Sequence, residues 1–263
     1  MKKYLAVLGN SLQANLVYRF NTFFYLLAQF ISFGVLFYIW TSIYYQGGKI
    51  GSYELADMIF YYLGVIFIGV VVKGMDVAWQ IGDEIRLGKL NAFLLTPMDY
   101  FWRRFFSFLG GLVFRGLSAI LLFGTGLYFL AEKFDFQLSI TRIISFLFLV
   151  LLSYLLNWLI FYIVGISTFW FGFVWALNYS MQTMANFLEG ALIPLDLLPG
   201  WLNALNNFLP FKYIVFVPVS VFTGRLEITW PVFVIPLAWI LFLYVLARLL
   251  FKTGLKKYEG FGG

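Results

Sequence analysis

The 263-residue chain contains neither cysteine nor histidine. Their absence excludes disulfides, thiolate nucleophiles, thiolate or imidazole metal sites and imidazole acid-base chemistry. Charge is also scarce: Asp, Glu, Lys and Arg make up 11% of residues, against 62% hydrophobic and 22% aromatic. Proline is sparse and lopsided, with Pro97 alone before residue 190 and the other six of seven after it. At a mean hydropathy of +0.89, the composition cannot dress an apolar core in a charged surface. It describes an all-α integral membrane protein. No polar block is long enough to fold alone, so residues 1–263 form a single membrane domain with room for about six spans of roughly 20 residues.

The N-terminus does not read as a secretory signal, because the apolar run after "MKK" breaks at "GNSLQAN" before an h-region forms. Leu5, Leu8, Leu12 and Leu16 instead recur at helical spacing opposite Lys2, Asn10 and Gln13, which predicts an amphipathic interfacial helix over 1–20. Asn15 is the exception to that pattern.

Apolar runs place spans at 22–45, 58–81, 105–130, 143–165, 168–188 and 230–251. Between Arg142 and Glu189 lie 46 residues without an ionisable group. A straight helix of that length would reach about 69 Å, twice a bilayer core, so the chain must double back, with "GIST" at 165–168 as the expected turn. Lys and Arg then sort by side. With both termini cytoplasmic, thirteen fall on the inner side and five, Lys49, Lys133, Arg142, Lys212 and Arg225, on the outer side. The net charge of +6 is therefore topology and not a nucleic-acid surface. The proline-broken stretch at 190–228 falls by parity on the outer side. Its pieces of about ten residues reach about 15 Å, the size of a re-entrant helical hairpin.

The exception to the scarcity of charge is "DEIRLGKLNAFLLTPMDYFWRRF", residues 83–105, where seven of 23 residues are ionisable. No proline interrupts 83–95, and Thr96-Pro97 supplies a stop, so one helix is expected there. It would either snorkel basic residues to lipid headgroups or fit a protein groove; the adjacent acids Asp83 and Glu84 favour the groove. A phosphate-binding loop is excluded for "GDEIRLGKL" at 82–90, which has one residue too many before Gly-Lys and Leu90 where Ser or Thr would hold magnesium.

The run "IGDEIRLGKLNAFLLTPMDYFWRR" resembles the cytoplasmic segment of type-2 ATP-binding-cassette (ABC) exporter permeases, a helix ending in Gly-basic-Leu followed by Leu-Leu-x-Pro. "GALIPLDLLPGWLNALNNFLPFKY" is similar to the outer segment before the last span of that family. The resemblance implies a permease of the bacterial inner membrane that pairs with a second permease, identical or related, and two copies of a separate ATP-binding subunit. That subunit would bind the ATP and magnesium, leaving this chain without a cofactor or catalytic residue of its own. Residues 83–95 would be the coupling helix, with Asp83, Glu84, Arg86, Leu87, Lys89, Leu90, Phe93 and Leu94 against the ATPase. The cargo would be amphipathic or lipid-like, moved outward by alternating access.

Inside the membrane, Lys73 and Asp76 share a helix face near the inner end of the second span and are expected to pair. Arg115 lies within the third span, either snorkelling or paired with Asp76 or Glu84. Trp170, Phe173, Asn178 and Gln182 are candidates for a substrate path or permease interface, with ordinary packing as the alternative. Competing readings are a secondary transporter or channel, which would need midplane acids, an intramembrane lipid enzyme, and a non-transporting scaffold.

Overall fold

A computed structural model describes residues 2–17, 19–48, 50–73, 77–137 and 139–258. The chain forms helices α1 (Lys2–Val17), α2 (Arg19–Tyr45), α3 (Leu55–Ile68), α4 (Val77–Arg86), α5 (Leu90–Leu94), α6 (Tyr100–Lys133), α7 (Ile140–Ile166), α8 (Thr168–Phe171), α9 (Trp175–Leu188), α10 (Gly200–Asn206), α11 (Phe216–Thr223) and α12 (Trp230–Leu255). No strand occurs among the described residues beyond an isolated bridge between Ile50 and Tyr53. Among the described residues five stretches are long and apolar enough to cross a membrane: Phe20–Tyr45, Leu55–Arg86, Tyr100–Lys133, Ile140–Phe171 and Trp230–Leu255. The expected fifth crossing, 168–188, differs. Its first turn belongs to the preceding stretch, and α9 is 14 residues, about 21 Å, short of a bilayer core.

The expected turn at 165–168 therefore falls one helical turn later. Ser167 keeps a helical backbone, α8 continues to Phe171, and the break comes at Gly172, whose φ of +68° a side chain would resist. Beyond it α9 runs back antiparallel to α3 and α4: Val174 packs beside Gly82, while Gly190 accepts a hydrogen bond from Tyr61. These contacts define two ends of the bundle. The near end carries residues 83–99, the α8 turn and the last turns of α12. The far end carries the 46–54 loop and the segment at 190–228.

Four aromatic rings tie the helices together between those ends. Phe67 of α3, Phe123 of α6, Phe146 of α7 and Phe222 of α11 pack with ring centroids 4.7–5.5 Å apart. Contacts of this kind each contribute about 0.5–1.5 kcal/mol beyond area burial, and in lipid such packing replaces the hydrophobic drive between helices. Polar side chains do the other half of the work. α3 widens into a π-helical turn at Gly69–Lys73, where Tyr25 donates to the Gly69 carbonyl (3.3 Å) and Asn157 to that of Val72 (3.3 Å).

The α1 pattern resolves in an unexpected way. This helix lies lengthwise on the first part of α6, with Ser11 Oγ bonded to the Ser107 carbonyl at 2.5 Å and the Tyr4 ring stacked on Phe106 at 5.5 Å. Leu5 and Leu16 face outward, while Tyr4, Leu8, Ser11 and Asn15 form the packed side. Asn15 breaks the leucine pattern because it belongs to the face that meets α6.

The far-end segment is broken as its prolines require, into a 3₁₀ turn at Leu195–Leu197, α10, a second turn at Phe211–Tyr213, and α11. Its pieces behave unequally. Residues 217–223 of α11 are all buried between α3 and α7, whereas Trp201, Leu205 and Phe208 on and after α10 are exposed. Three tyrosines of 53–62 pin its beginning: Tyr53 donates to Asp196 (2.7 Å), Tyr61 to the Gly190 carbonyl (2.6 Å) and Tyr62 to the Leu192 carbonyl (2.7 Å). Arg225 lies 3.6 Å over the Tyr53 ring and pairs with Asp57 at 3.2 Å. Burial and the Asp196 hydrogen bond both push the Tyr53 hydroxyl well above the usual phenol range, so it stays a donor. Replacing Tyr61 by Phe leaves a buried carbonyl unmet and is expected to cost about 1–3 kcal/mol. Tyr62 is also buried, but the Leu192 carbonyl it serves belongs to an exposed residue that water can reach, so the same change there should cost less. Thermal unfolding of the two purified variants checks the order.

Candidate functional site

The charged stretch sits at the near end, and its local structure depends on one glycine. α4 ends at Arg86, where Leu87 N–H closes on the Asp83 carbonyl (2.9 Å) and Gly88 N–H on that of Ile85 (3.3 Å). Gly88 then takes a φ of +72° and α5 starts two residues later. The single helix expected over 83–95 is thus two helices meeting at a left-handed glycine, the usual way for a helix to stop without proline. The Thr96-Pro97 stop is real: Thr96 Oγ1 donates to the Phe93 carbonyl at 2.6 Å, and Asp99 accepts from Trp102 N–H at 3.2 Å as the N-cap of α6. α6 begins at Tyr100, ahead of the expected 105, which brings Arg103 and Arg104 into its first turns.

Glu84 does not face outward as the resemblance implied. Its carboxylate is buried, accepting from the Tyr100 hydroxyl at 2.6 Å and from Arg104 Nε at 2.8 Å, with a terminal guanidinium nitrogen of Arg104 as a second ionic contact. The reason lies in the start of α6: Arg104 is placed opposite Glu84, and two charges that leave water stay ionised only as a satisfied pair. Phe93 roofs the pair, with the Arg103 and Arg104 guanidinium groups 4.3 and 5.3 Å from its ring centre. Tyr100 in turn stacks on Phe251 of α12 at 5.2 Å and 7°. Leu90, the other expected anchor, is fully buried.

A second ion pair lies beside the first. Asp99 receives two hydrogen bonds from Arg248 of α12, each 2.8 Å, and its own N–H donates to the Tyr4 hydroxyl of α1 at 3.1 Å. Lys3 Nζ donates to the Pro97 carbonyl. Burial alone would raise the Asp99 carboxyl, but the Arg248 hydrogen bond and the Trp102 amide outweigh it and hold the group below the usual carboxylate range. Through these contacts α1, α4, α5, α6 and α12 meet in one knot.

On the outside of the knot are Arg86, Leu87, Lys89, Leu94 and Leu95, all exposed, the last at 87%. Asp83 is half-buried and pairs with Arg86 at 3.2 Å; Phe93 is half-buried under the arginines. Sequence reasoning missed Leu95, Tyr100, Asp99, Arg104 and Arg248. The doubled leucine before Thr-Pro was the available sign for Leu95, while the α12 partners, distant in sequence, left none.

The four candidates for a substrate path separate. Trp170 lies in the near-end turn, lining a hollow of about 260 Å³ with Arg86, Thr168 and Lys257. Phe173 is exposed beside it, 5.3 Å under the Arg86 guanidinium. Asn178 and Gln182 are on α9, but on the half-buried side shared with Ala185, and the free face is the stripe Trp175, Tyr179, Thr183 and Phe187. Arg115 is buried in α6, with Nε donating to the Gly111 carbonyl at 3.3 Å. The expected Lys73–Asp76 pair involves side chains outside the described residues.

The described residues thus form a bundle of membrane-length helices with a charged turn at one end. A family profile described as an ABC-2 family transporter protein matches residues 27–262, and the chain belongs to that family. No curated protein matches it.

Truncating Glu84 to Ala leaves Arg104 buried without its partner and is expected to destabilise the protein by about 3–5 kcal/mol. The Glu84→Leu/Arg104→Met double variant should recover most of that loss, read as the thermal midpoint in detergent. Asp99 adds a pH dependence. Its folded pKa is depressed, so its contribution is present above the unfolded value near pH ~3.9 and is lost as pH falls through the folded one. The difference in midpoint between the native protein and Asp99→Asn should therefore be flat from pH 7 to 5 and shrink below about pH 4.

Proposed function

We propose that this chain is the permease subunit of an ATP-driven exporter in the bacterial inner membrane, paired with a second permease and driven by two copies of a separate ATPase. The observation that carries the reading is the buried Glu84–Arg104–Tyr100 lock. It fixes an exposed turn of mixed basic and apolar character to α4 and α6, and through Phe251 to α12, so a push on the turn moves membrane-crossing helices as one body.

In this reading Arg86, Leu87, Lys89, Leu94 and Leu95 form the grip for the ATPase, the leucines anchoring and the cations setting register. Glu84, Leu90 and Phe93 support it from within. Closure of the ATPase dimer on ATP drives the turns of two permeases together. The π-helical turn at Gly69–Lys73 lies between the knot and the far end of α3, a suitable place for the helix to flex. In this reading α9 serves as the short sixth crossing, α10 with α11 as the outer re-entrant element, and both termini are cytoplasmic. The aromatic stripe of α9 is the surface offered to the second permease. An amphipathic cargo would be moved outward by alternating access.

The test is co-purification with a candidate ABC-type ATP-binding subunit co-expressed with this chain. Leu87→Asp/Leu95→Asp should reduce recovery of the ATPase at least tenfold while the permease keeps its thermal midpoint. Undiminished recovery by the folded double variant would sink the proposal. Because the chain has no native cysteine, single-cysteine labelling tests the topology. Lys89→Cys should react with an impermeant maleimide only from the cytoplasmic side, and Trp201→Cys only from the outside.

A further inference from the structure

Between α2, α3 and α6 is a cavity of about 290 Å³ that neither the knot nor the α9 stripe uses. Phe33, Phe67 and Ala119 contribute to its apolar wall, and Phe30 and Phe129, both well exposed, form its rim. Its three walls are membrane-crossing helices, so the medium around the rim is hydrocarbon and not water. Along α6 it runs from Ala119 to Phe129, about 15 Å at 1.5 Å per residue, half of a bilayer core of about 30 Å.

The wall carries two polar side chains; Thr125 already donates to the Leu121 carbonyl at 2.9 Å, which leaves Gln29 as the one that does not suit that medium. Gln29 contributes an amide to the cavity, and among the described residues it has no hydrogen-bond partner. Gln29 stands ten residues after Arg19, about 15 Å along α2, so it is too deep to reach headgroup water. An amide kept in an apolar cavity at that depth is costly unless something brought into the cavity bonds to it. The lining carries no charged side chain. The nearest cation on α6, Arg115, is one turn before Ala119 and turns away toward the Gly111 carbonyl.

We propose that this cavity binds a neutral, largely apolar molecule bearing a single hydrogen-bonding group, a hydroxyl or carbonyl within its hydrophobic body, which bonds to Gln29. An ordinary phospholipid does not meet that description, because its esters and headgroup stay at the interface and it would offer Gln29 only methylenes. The inference deepens the exporter reading and rests on it for the word cargo: it narrows an amphipathic substrate to a neutral one with its polar group at mid-depth.

The experiment uses the full-length permease in detergent, with neither ATP nor an ATPase, so its failure is distinct from failure of the docking test. A long-chain methyl ester bearing a diazirine is photo-crosslinked and competed with methyl 12-hydroxystearate or methyl stearate. Crosslinks are expected in 29–33 and 119–129, with the hydroxylated ester competing about five- to tenfold better, the worth of one neutral hydrogen bond. Gln29→Leu should erase that preference without weakening methyl stearate. Gly126→Phe, filling the cavity opposite Leu63, should lower these crosslinks at least tenfold while those at Trp239 on α12 persist. If that variant loses its monodisperse elution, Ala119→Leu takes its place. Equal competition by the two esters, a preference that survives Gln29→Leu, or a phospholipid competing as well as the hydroxylated ester would each overturn the proposal.

Discussion

The near end of this protein depends on one interaction, the contact of Glu84 with Arg104 and Tyr100. A carboxylate and a guanidinium withdrawn from water are stable only if each finds its counter-charge and its hydrogen bonds, and here both do. Satisfying that requirement fixes the first turns of α6 against α4 and dictates how the chain passes between them. Gly88 supplies the bend, Leu90 fills the space beneath it, and Phe93 closes the top. An ion pair of this sort adds little net stability compared with a well-packed apolar pair. It adds geometry instead, since only one register of α4 on α6 satisfies it. For the proposed function, in which the turn would pass force to helices, that register matters more than stability.

The same requirement governs the rest of the bundle. Hydrocarbon offers no hydrogen bonds, so every departure from a regular helix must be answered by a side chain. The π-helical turn of α3 has Tyr25 and Asn157 on its carbonyls, and the broken far-end segment has the tyrosines of 53–62 and the Asn206 amide, which donates to the Leu188 carbonyl at 2.6 Å. Irregular backbone and polar side chains therefore occur together. The aromatic cluster around Phe146 fills the volume between them, but it is the polar groups that decide where the backbone can bend.

This division explains which features were legible in the sequence. Membrane class, the long crossings and the break before Pro97 could be read because each rests on a local property: length of an apolar run, scarcity of charge, or the geometry of proline. The roles of Glu84 and Leu90 could not, because the helix expected over 83–95 was read as one cylinder with an outward charged face. Gly88, within "RLGKL", swings α5 out of line with α4, and Arg104 lies twenty residues away from Glu84. The orientation of Asn178 and Gln182 was illegible for a related reason. Their i, i+4 spacing does define a face, but whether that face looks to the core or to lipid depends on where α7 lies, which spacing does not contain.

The position of α1 bears on how force would travel under the proposed function. An interfacial helix resting on lipid alone would be a passive float, whereas α1 is fastened to the knot at one end, through Lys3 and Tyr4, and to α6 along its length, through Ser11. Polar contacts on the inner face and leucines on the outer face give it two attachments of different kinds, one to the protein and one to the surrounding apolar medium. On the proposed function, a load on the knot would have two routes. It would pass up α4 and α6, and it would press α1 against the medium that resists displacement. Because Asp99 is at once the cap of α6, the partner of Arg248 and the donor to Tyr4, the two routes would diverge from a single residue, and rotation of α6 without α1 and α12 would break three bonds there, two to Arg248 and one to Tyr4.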